Sequence, residues 1–91
     1  MNSVFEALAH PTRRAILEML KSGSKTAGEL ADAFDVSKPT MSGHFAKLKE
    51  AGLIQGESRG TQTIYTLNLS ALESVMLAFM TRLKGNEEHA G

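Results

Sequence analysis

The stretch from Ser37 to Leu48 carries the side chains whose types and spacing indicate a chemistry most directly. Met41, Phe45 and Leu48 recur at intervals of four and three, which predicts a helix with one apolar face. The other face holds small, polar or basic groups and no acid, namely Lys38, Thr40, Ser42, Gly43, His44 and Lys47. Such groups suit the edges of bases in the DNA major groove, which admits a helix and offers donors and acceptors.

Three residues of this stretch, a cap, a proline and a glycine, are typical of a helix whose backbone a large ligand can approach. Ser37 is a suitable N-cap, and Pro39 falls in the first turn, where its missing N–H costs little. Gly43 falls in mid-helix, where glycine costs about 1 kcal/mol relative to alanine. A bare backbone there is explained if something large must come close. A polar helix face is also often only a solvated surface, so the rest of the chain has to decide between the two interpretations.

The composition is that of one small domain. Its 91 residues with 42% hydrophobic content bury a limited share of their surface, so we expect dimerisation to supplement the core. Ten basic residues balance ten acidic ones, which excludes a bulk polycation and confines any nucleic-acid affinity to local patches. The absence of cysteine excludes disulfides, thiolate metal ligands and thiol redox chemistry.

The sequence shows neither of two common targeting signals. No apolar stretch approaches the roughly 18 residues of a membrane span. The N-terminus lacks the charged-then-apolar layout of a signal peptide. We therefore expect a cytoplasmic protein.

Three helices are predicted before the stretch at Ser37. A capping box that begins at Ser3 opens the first, Pro11 stands in the first turn of the second, and a capping box that begins at Thr26 opens the third. A short turn at residues 35–36 then leads into the helix described above. Two helices joined by a turn of about 3–4 residues make the helix-turn-helix unit.

After Gly52 the pattern changes from helix to strand. Residues 53–54 and 63–67 are rich in β-branched, aromatic and aliphatic side chains, and the segment 57–62 between them contains Gly60. This pattern predicts a β-hairpin, or wing.

A last helix is predicted to open at a capping box that begins at Ser70 and to end near Lys84. The predicted fold is therefore mostly α with a small β-hairpin, a winged helix-turn-helix of five helices with a two-stranded wing. Residues 1–84 are expected to form the domain and residues 85–91 a flexible tail.

With the helices and the wing in this order, the chain resembles the ArsR (arsenic-repressor-like) family of winged helix-turn-helix transcriptional repressors, and within it the small SdpR-type autoregulators. The segments that carry the resemblance are 8–17, 37–45, 48–54, 59–60 and 65–67. The resemblance implies a homodimer built on the first and last helices. It also implies binding to an imperfect inverted repeat in a promoter, which blocks transcription.

The founding members of the family sense metals, and this chain departs from them. Their ligands come from a cysteine pair in the first helix of the helix-turn-helix, or from Asp and His residues on the last helix. This chain has no cysteine, and its last helix offers Glu73 as its one acid before the tail and no histidine before His89. We therefore expect no metal site and no cofactor.

The predicted DNA-binding residues combine the recognition helix and its cap, the start of the preceding helix, and the wing. Ser42 and His44 are expected to face base edges, whereas Lys38 and Lys47 meet phosphate. Arg59 is expected to enter the minor groove or meet phosphate. The full set is Lys25, Thr26, Ser37, Lys38, Pro39, Thr40, Ser42, Gly43, His44, Lys47, Arg59, Gly60 and Gln62.

Three other polar residues near the N-terminus have expected structural roles. His10, beside a proline, is expected at a helix boundary and not as a ligand. Of Arg13 and Arg14, one is expected to pair with a carboxylate and the other to face solvent or DNA.

The last helix carries a wider apolar stripe than a small monomer can cover, which indicates a dimer interface. A hydrophobic effector pocket is the alternative use of this stripe. With the first helix added, as the resemblance implies, the predicted interface residues are Val4, Phe5, Leu8, Leu72, Val75, Met76, Phe79, Met80 and Leu83.

Two function classes remain from the sequence. The first is a sequence-specific repressor, and the alternative is a winged helix that binds protein partners. An enzyme is not expected, because the sequence shows no activated nucleophile, metal cluster or phosphate-binding glycine loop. A ligand, a sequestering protein partner or the expression level alone would each be compatible with control of the repressor.

Overall fold

The computed structural model describes the backbone of residues 2–90 and the side chains of residues 2–85. Over that range it contains five helices and three strands, which confirms the predicted winged helix-turn-helix. In chain order they are α1 (Asn2–Leu8), α2 (Pro11–Leu20), β1 (Lys25–Thr26), α3 (Ala27–Asp32), α4 (Lys38–Glu50), β2 (Ile54–Arg59), β3 (Gln62–Leu67) and α5 (Leu69–Ala90).

The wing is a β-hairpin whose register leaves a two-residue turn. Arg59 pairs with Gln62 across the end of β2 and β3, so Gly60 and Thr61 form the turn. Gly60 has φ +60° whereas Thr61 does not have positive φ, which matches a type II′ turn. The sequence did not predict β1, which pairs with β3 and completes a sheet in the order β1-β3-β2.

Local side-chain caps start the helices of the helix-turn-helix. The Thr26 hydroxyl accepts from the Glu29 N–H at 3.1 Å, and the Thr26 N–H donates to the Glu29 carboxylate at 2.9 Å, which confirms this capping box. The Ser37 hydroxyl accepts from the Thr40 N–H at 3.3 Å. Gly52 follows α4 with φ +76°, the left-handed conformation that ends many helices.

Two other predicted caps are wrong. Helix α1 begins at Asn2, so Ser3 lies inside the helix. Helix α5 begins one residue before Ser70, and the Asn68 side-chain oxygen accepts from the Ala71 N–H at 3.3 Å. Asn68 therefore caps α5, whereas the sequence pattern predicted Ser70, two residues further along the chain.

Helix α5 extends to Ala90, beyond the end expected near Lys84. The flexibility of residues 85–91 stays a prediction. The side chains of residues 86–91, including His89, lie outside the described residues. Within the described range, no helix combines the length and apolar character needed to cross a bilayer.

The core lies between the first four helices and the base of the sheet. Val4 is 3% exposed and belongs to this core, so its assignment to the dimer interface is corrected. The reason is that Val4 and Ala7 fall on the face of α1 that packs inward. The buried apolar residues are Val4, Ala7, Ile16, Leu17, Leu20, Leu30, Met41, Phe45, Leu48, Leu53, Ile54 and Tyr65.

Gly56 gives space to a core aromatic. It pairs with Tyr65 across the hairpin, and a Cβ added at Gly56 would lie 3.0 Å from the Tyr65 ring. That ring has little room to move, because it also packs on Phe45 of α4 with centroids 4.7 Å apart. The absence of a side chain at Gly56 therefore lets the wing lie close to the recognition helix.

We expect Gly56→Ala to lower the free energy of unfolding by about 1–2 kcal/mol, because the added methyl group overpacks the Tyr65 ring. Urea unfolding at unchanged m-value measures the effect. Gly43→Ala is the control, since an added Cβ there meets open space, and it should stabilise by up to about 1 kcal/mol. Equal stability of Gly56→Ala and the unmutated chain would contradict this account of the wing.

Candidate nucleic-acid interface

The inward face of α4 fixes which side chains the helix can offer to a ligand. Met41, Phe45 and Leu48 are buried, as the sequence predicted. Over the first part of the helix, the centre of the opposite face consists of Pro39, Gly43 and Ala46, all exposed, at the same spacing of four and three. From Pro39 to Ala46 the outermost line of the helix is therefore made of small residues, and the exposed acid Glu50 follows on the same line at the helix end.

The backbone at Gly43 is open to the surroundings. An ideal Cβ built there meets no atom of the described residues within 4 Å, apart from its chain neighbours and the backbone of its own helix. No internal packing requirement therefore accounts for glycine at this position. The open backbone leaves room for close approach by an external ligand.

Polar and basic groups flank this line of small residues on both sides. Thr40 and Lys47 lie on one side, and Ser42 and Lys38 on the other, all exposed. The Ser37 hydroxyl donates to Thr40 Oγ1 at 2.9 Å, so the cap and the first outward hydroxyl are linked. Ser42 and Lys38 also border an apolar groove of about 240 Å³ between α3 and α4.

His44 does not lie on the outward face, and its assignment to base contacts is corrected. It is 7% exposed. It stands three residues after Met41 and four before Leu48, a spacing that places it on the buried side of the helix. Its polarity suggested an outward position, but the spacing carried the correct signal.

Two arginines of α2 bind the C-terminal end of α1. Arg13 donates from Nε to the carbonyl of Ala7 and from Nη2 to the carbonyl of Glu6, each at 2.8 Å. Arg14 donates from Nη1 to the carbonyl of Leu8 at 2.7 Å. Both guanidinium groups therefore satisfy helix-end carbonyls, and the expected pairing of one arginine with a carboxylate is wrong.

The Arg13 guanidinium also reaches the recognition helix. Its Nη1 lies 3.2 Å from Nδ1 of His44. The ring of His10 lies beside that of His44, with centroids 4.6 Å apart, while its Nδ1 accepts from the Thr12 N–H at 3.1 Å. This capping contact confirms His10 as a helix-boundary residue.

The wing carries its cation at the tip of the hairpin. Arg59 Nε lies 3.4 Å from a carboxylate oxygen of Glu57, and both side chains are two-thirds exposed. An ion pair as exposed as this contributes about 0–1 kcal/mol, so a phosphate can compete for the guanidinium. Gly60 and Gln62 beside it are exposed.

A hollow of about 350 Å³ separates the wing from the start of α3. Lys25 and Arg59 border it together with the acids Glu29 and Glu57, so its charges balance. A backbone hydrogen bond from Thr26 is the main cause that lowers the pKa of Glu29. Thr26 is committed to its capping box, the role that the sequence favoured for it.

These features have counterparts in known proteins. Residues 8–57 match a family described as a helix-turn-helix domain. Over 73 residues the chain is 45% identical to the transcriptional repressor SdpR of Bacillus subtilis, a match that spans 80% of this chain and 81% of SdpR. It is 42% identical over 81 residues to the HTH-type transcriptional regulator Rv2034 of Mycobacterium tuberculosis, spanning 86% of this chain and 76% of that protein.

A solved structure shares the whole architecture. The crystal structure of the ArsR family transcriptional regulator RHA00566 superimposes with a TM-score of 0.85 at 31% identity, and 94% of each chain is covered. The chain belongs to the ArsR family of winged helix-turn-helix transcriptional repressors. This confirms the resemblance that the motifs indicated. The ArsR family is one of DNA-binding transcriptional regulators and not of enzymes.

Burial is the main cause of the pKa shifts of His44 and Tyr65, on α4 and beside it. Burial lowers the pKa of His44, and the charges of His10 and Arg13 lower it further. Burial also raises the pKa of the Tyr65 hydroxyl. For metal ligands, no group of three or more His, Cys, Asp or Glu side chains is arranged around a common point in the part of this ArsR-family chain that the structure describes.

The surface predicted to form a dimer interface is partly covered within the protomer. Phe5 of α1 packs edge-on against Phe79 of α5 with centroids 5.5 Å apart, so the two helices are in contact at this point. Leu8, Leu72 and Val75 pack on the core and are half-buried. The outer part of α5 leaves large apolar side chains exposed, and they are Leu69, Leu77, Phe79, Met80 and Leu83.

Leu77 is an exposed apolar residue of α5 that is not among the predicted interface residues. It is 67% exposed, more than any other large apolar side chain among the described residues. The helical spacing places it beside Met80 at the edge of the stripe. The spacing of three and four residues that predicts the stripe marks its centre and does not include a residue at its edge.

Proposed function

We propose that this ArsR-family chain is a dimeric repressor that binds an inverted-repeat operator in a promoter through α4 and the wing. The observation that carries the proposal is the outward face of α4, whose centre is bare at Gly43. Hydroxyls and ammonium groups stand on both sides of that centre. A DNA groove is a ligand large enough to require such a surface.

The contacts divide into base-reading and phosphate-binding groups. Ser42 and Thr40 are proposed to face base edges, because their short hydroxyls flank the line of closest approach. Lys38 and Lys47 have the reach to contact phosphates on either side of the groove, and Arg59 would contact phosphate or the minor groove. Pro39, Gly60, Gln62 and Lys25 complete the proposed surface, while Thr26 and Ser37 serve it mainly as helix caps.

Dimerisation is proposed to occur through the exposed half of α5 with α1 beside it. Phe79, Met80 and Leu83 form a continuous apolar surface that one protomer leaves in water. A two-fold axis there would place the recognition helices about 34 Å apart, one helical turn of DNA or a multiple of it. Because the chain resembles the SdpR-type autoregulators, the promoter of its own gene is the first place to look for the operator.

The deciding experiment recovers operator DNA from genomic fragments and measures its affinity against scrambled DNA between ~50 mM and ~200 mM salt. Lys47→Ala should weaken binding to both DNAs and flatten the salt dependence by about one unit, because one phosphate contact is lost. Lys84→Ala on α5 is the control of equal charge and should leave the slope unchanged. If the unmutated chain retains no fragment over scrambled DNA, the alternative of a protein-binding module is favoured.

Gly43→Ala should separate stability from binding. The variant is expected to unfold at higher urea concentration yet to lose about 1–3 kcal/mol of operator binding, because the methyl group stands on the line of closest approach. Gly85→Ala in α5 is the matched control, since an added Cβ there also meets open space. Retention of full affinity by Gly43→Ala would remove the main support for this face as the DNA-binding surface.

The dimer is tested by a charge placed on the exposed stripe. Phe79→Glu and the more peripheral Leu83→Glu should both dissociate the protein, because a carboxylate cannot be buried there without a partner. Sedimentation at micromolar concentration measures the mass, and Val36→Glu, at another exposed apolar residue, is the control. A monomeric mass of 9.8 kDa for the unmutated chain would refute the proposal.

A further inference from the structure

Arg13 stands where α1, α2 and α4 meet, and its three donor nitrogens hold two other helices at once. Two of them donate to the last carbonyls of α1, at Glu6 and Ala7. The third faces Nδ1 of His44 on the recognition helix at 3.2 Å. Because the guanidinium group is planar and rigid, these contacts fix the end of α1 and the recognition helix at a set distance from each other.

The contact with α4 requires His44 to be neutral. A guanidinium group only donates, so Nδ1 of His44 must be the acceptor and the ring proton must be on Nε2. A second proton on His44 would occupy that lone pair and would place a cation 3.2 Å from Arg13. The contact would then become repulsive.

Among the described residues, the groups around His44 offer its charged form no compensation. The segment at the start of α2 presents His10 and Arg13 to the ring, and both oppose a positive charge there. Helix α1 contributes backbone carbonyls that Arg13 already occupies, and the Glu6 side chain is exposed. On α4 itself the next ionisable group is Lys47, which is exposed and also cationic.

We propose that Arg13 is a positioning residue for DNA binding, which holds the recognition helix to the end of α1 through neutral His44. Protonation of His44 releases this contact and weakens binding to the operator. The inference rests on the proposed function, since it concerns how α4 is presented to DNA. It assigns a role to residues that do not themselves lie on the DNA-binding surface.

The direction of the pH effect distinguishes this role from simple electrostatics. Protonation of histidines adds positive charge, which by itself strengthens binding to a polyanion. Because burial lowers the pKa of His44, the ring stays neutral at neutral pH and gains its proton only below the ordinary histidine value of about 6.5. The contact is therefore complete above that value and is lost as the pH falls through the lowered pKa.

The adjacent arginine provides a matched control. Arg14 also donates to a carbonyl at the end of α1, that of Leu8, whereas Arg13 is the arginine that reaches His44 of α4. We expect Arg13→Lys to weaken binding to a recovered genomic operator fragment by about tenfold at neutral pH, the equivalent of one charged hydrogen bond. Arg14→Lys should change the affinity by less than about twofold, within the range of an exposed contact.

A second arm follows the affinity of the unmutated chain from about pH 7.5, above the ordinary histidine value, down through the lowered pKa of His44 to the lowest pH at which the chain stays folded. The affinity should fall several-fold on acidification. His44→Asn keeps an acceptor near the position of Nδ1 but does not titrate, so its profile should lack that fall. This arm decides the proposal even if Arg13→Lys fails to fold.

A third arm needs no DNA and separates this inference from the proposed function. Amide hydrogen exchange in α4 should be faster in Arg13→Lys than in Arg14→Lys, because only the former frees the helix. Equal exchange, equal loss of affinity in both variants, or the same pH profile for His44→Asn and the unmutated chain would overturn the positioning role. Faster exchange without any operator binding would instead refute the proposed function alone.

Discussion

Burial of one side of α4 is the constraint on which the rest of the molecule depends. Phe45 packs on Tyr65 at the base of the wing, and Met41 and Leu48 are held in the common core. Because a helix is rigid, the same packing turns Gly43 and its polar neighbours to the outside. The aromatic contact, which the missing side chain at Gly56 permits, thus helps to set the relative position of the wing and the recognition helix, together with the packing of α4 on β2.

The short N-terminal helix depends on its neighbours in a different way. An isolated helix of seven residues is not stable in water, and its last carbonyls have no partners within the helix. The guanidinium groups of Arg13 and Arg14 satisfy these carbonyls, while Phe5 packs on Phe79. The helix is therefore held by α2 at its end and by α4 on its buried face, and Phe5 connects it to the proposed dimer surface on α5.

The long last helix explains why the molecule measures 56 × 23 × 20 Å. A helix of 22 residues is about 33 Å long, which exceeds the width of the small domain on which it begins. Its outer apolar side chains gain nothing from the core of their own protomer. Removing one such side chain from water contributes about 1.5–3 kcal/mol, so an association that covers Phe79, Met80 and Leu83 has a clear driving force.

Local patterns in the sequence were sufficient for the types and order of the main elements. Apolar spacing, the caps at Thr26 and Ser37, and the glycines at positions 52 and 60 act within a few residues of the chain, so each can be recognised without knowing the fold. The same patterns identified the ArsR family and the outward position of Gly43. What they could not supply is any property that depends on a partner far away in the sequence.

The tertiary structure alone decided the remaining features. The helical spacing places His44 on the buried side, but only the fold supplies Arg13 and His10, the partners from 31 and 34 residues away that surround its polar ring there. Residues 25–26 become a strand only because β3 passes beside them, and Val4 is buried because α1 packs on α4 and α2. Burial and hydrogen-bond partners are set by contacts between distant segments, whereas helix and turn propensities are properties of the local chain.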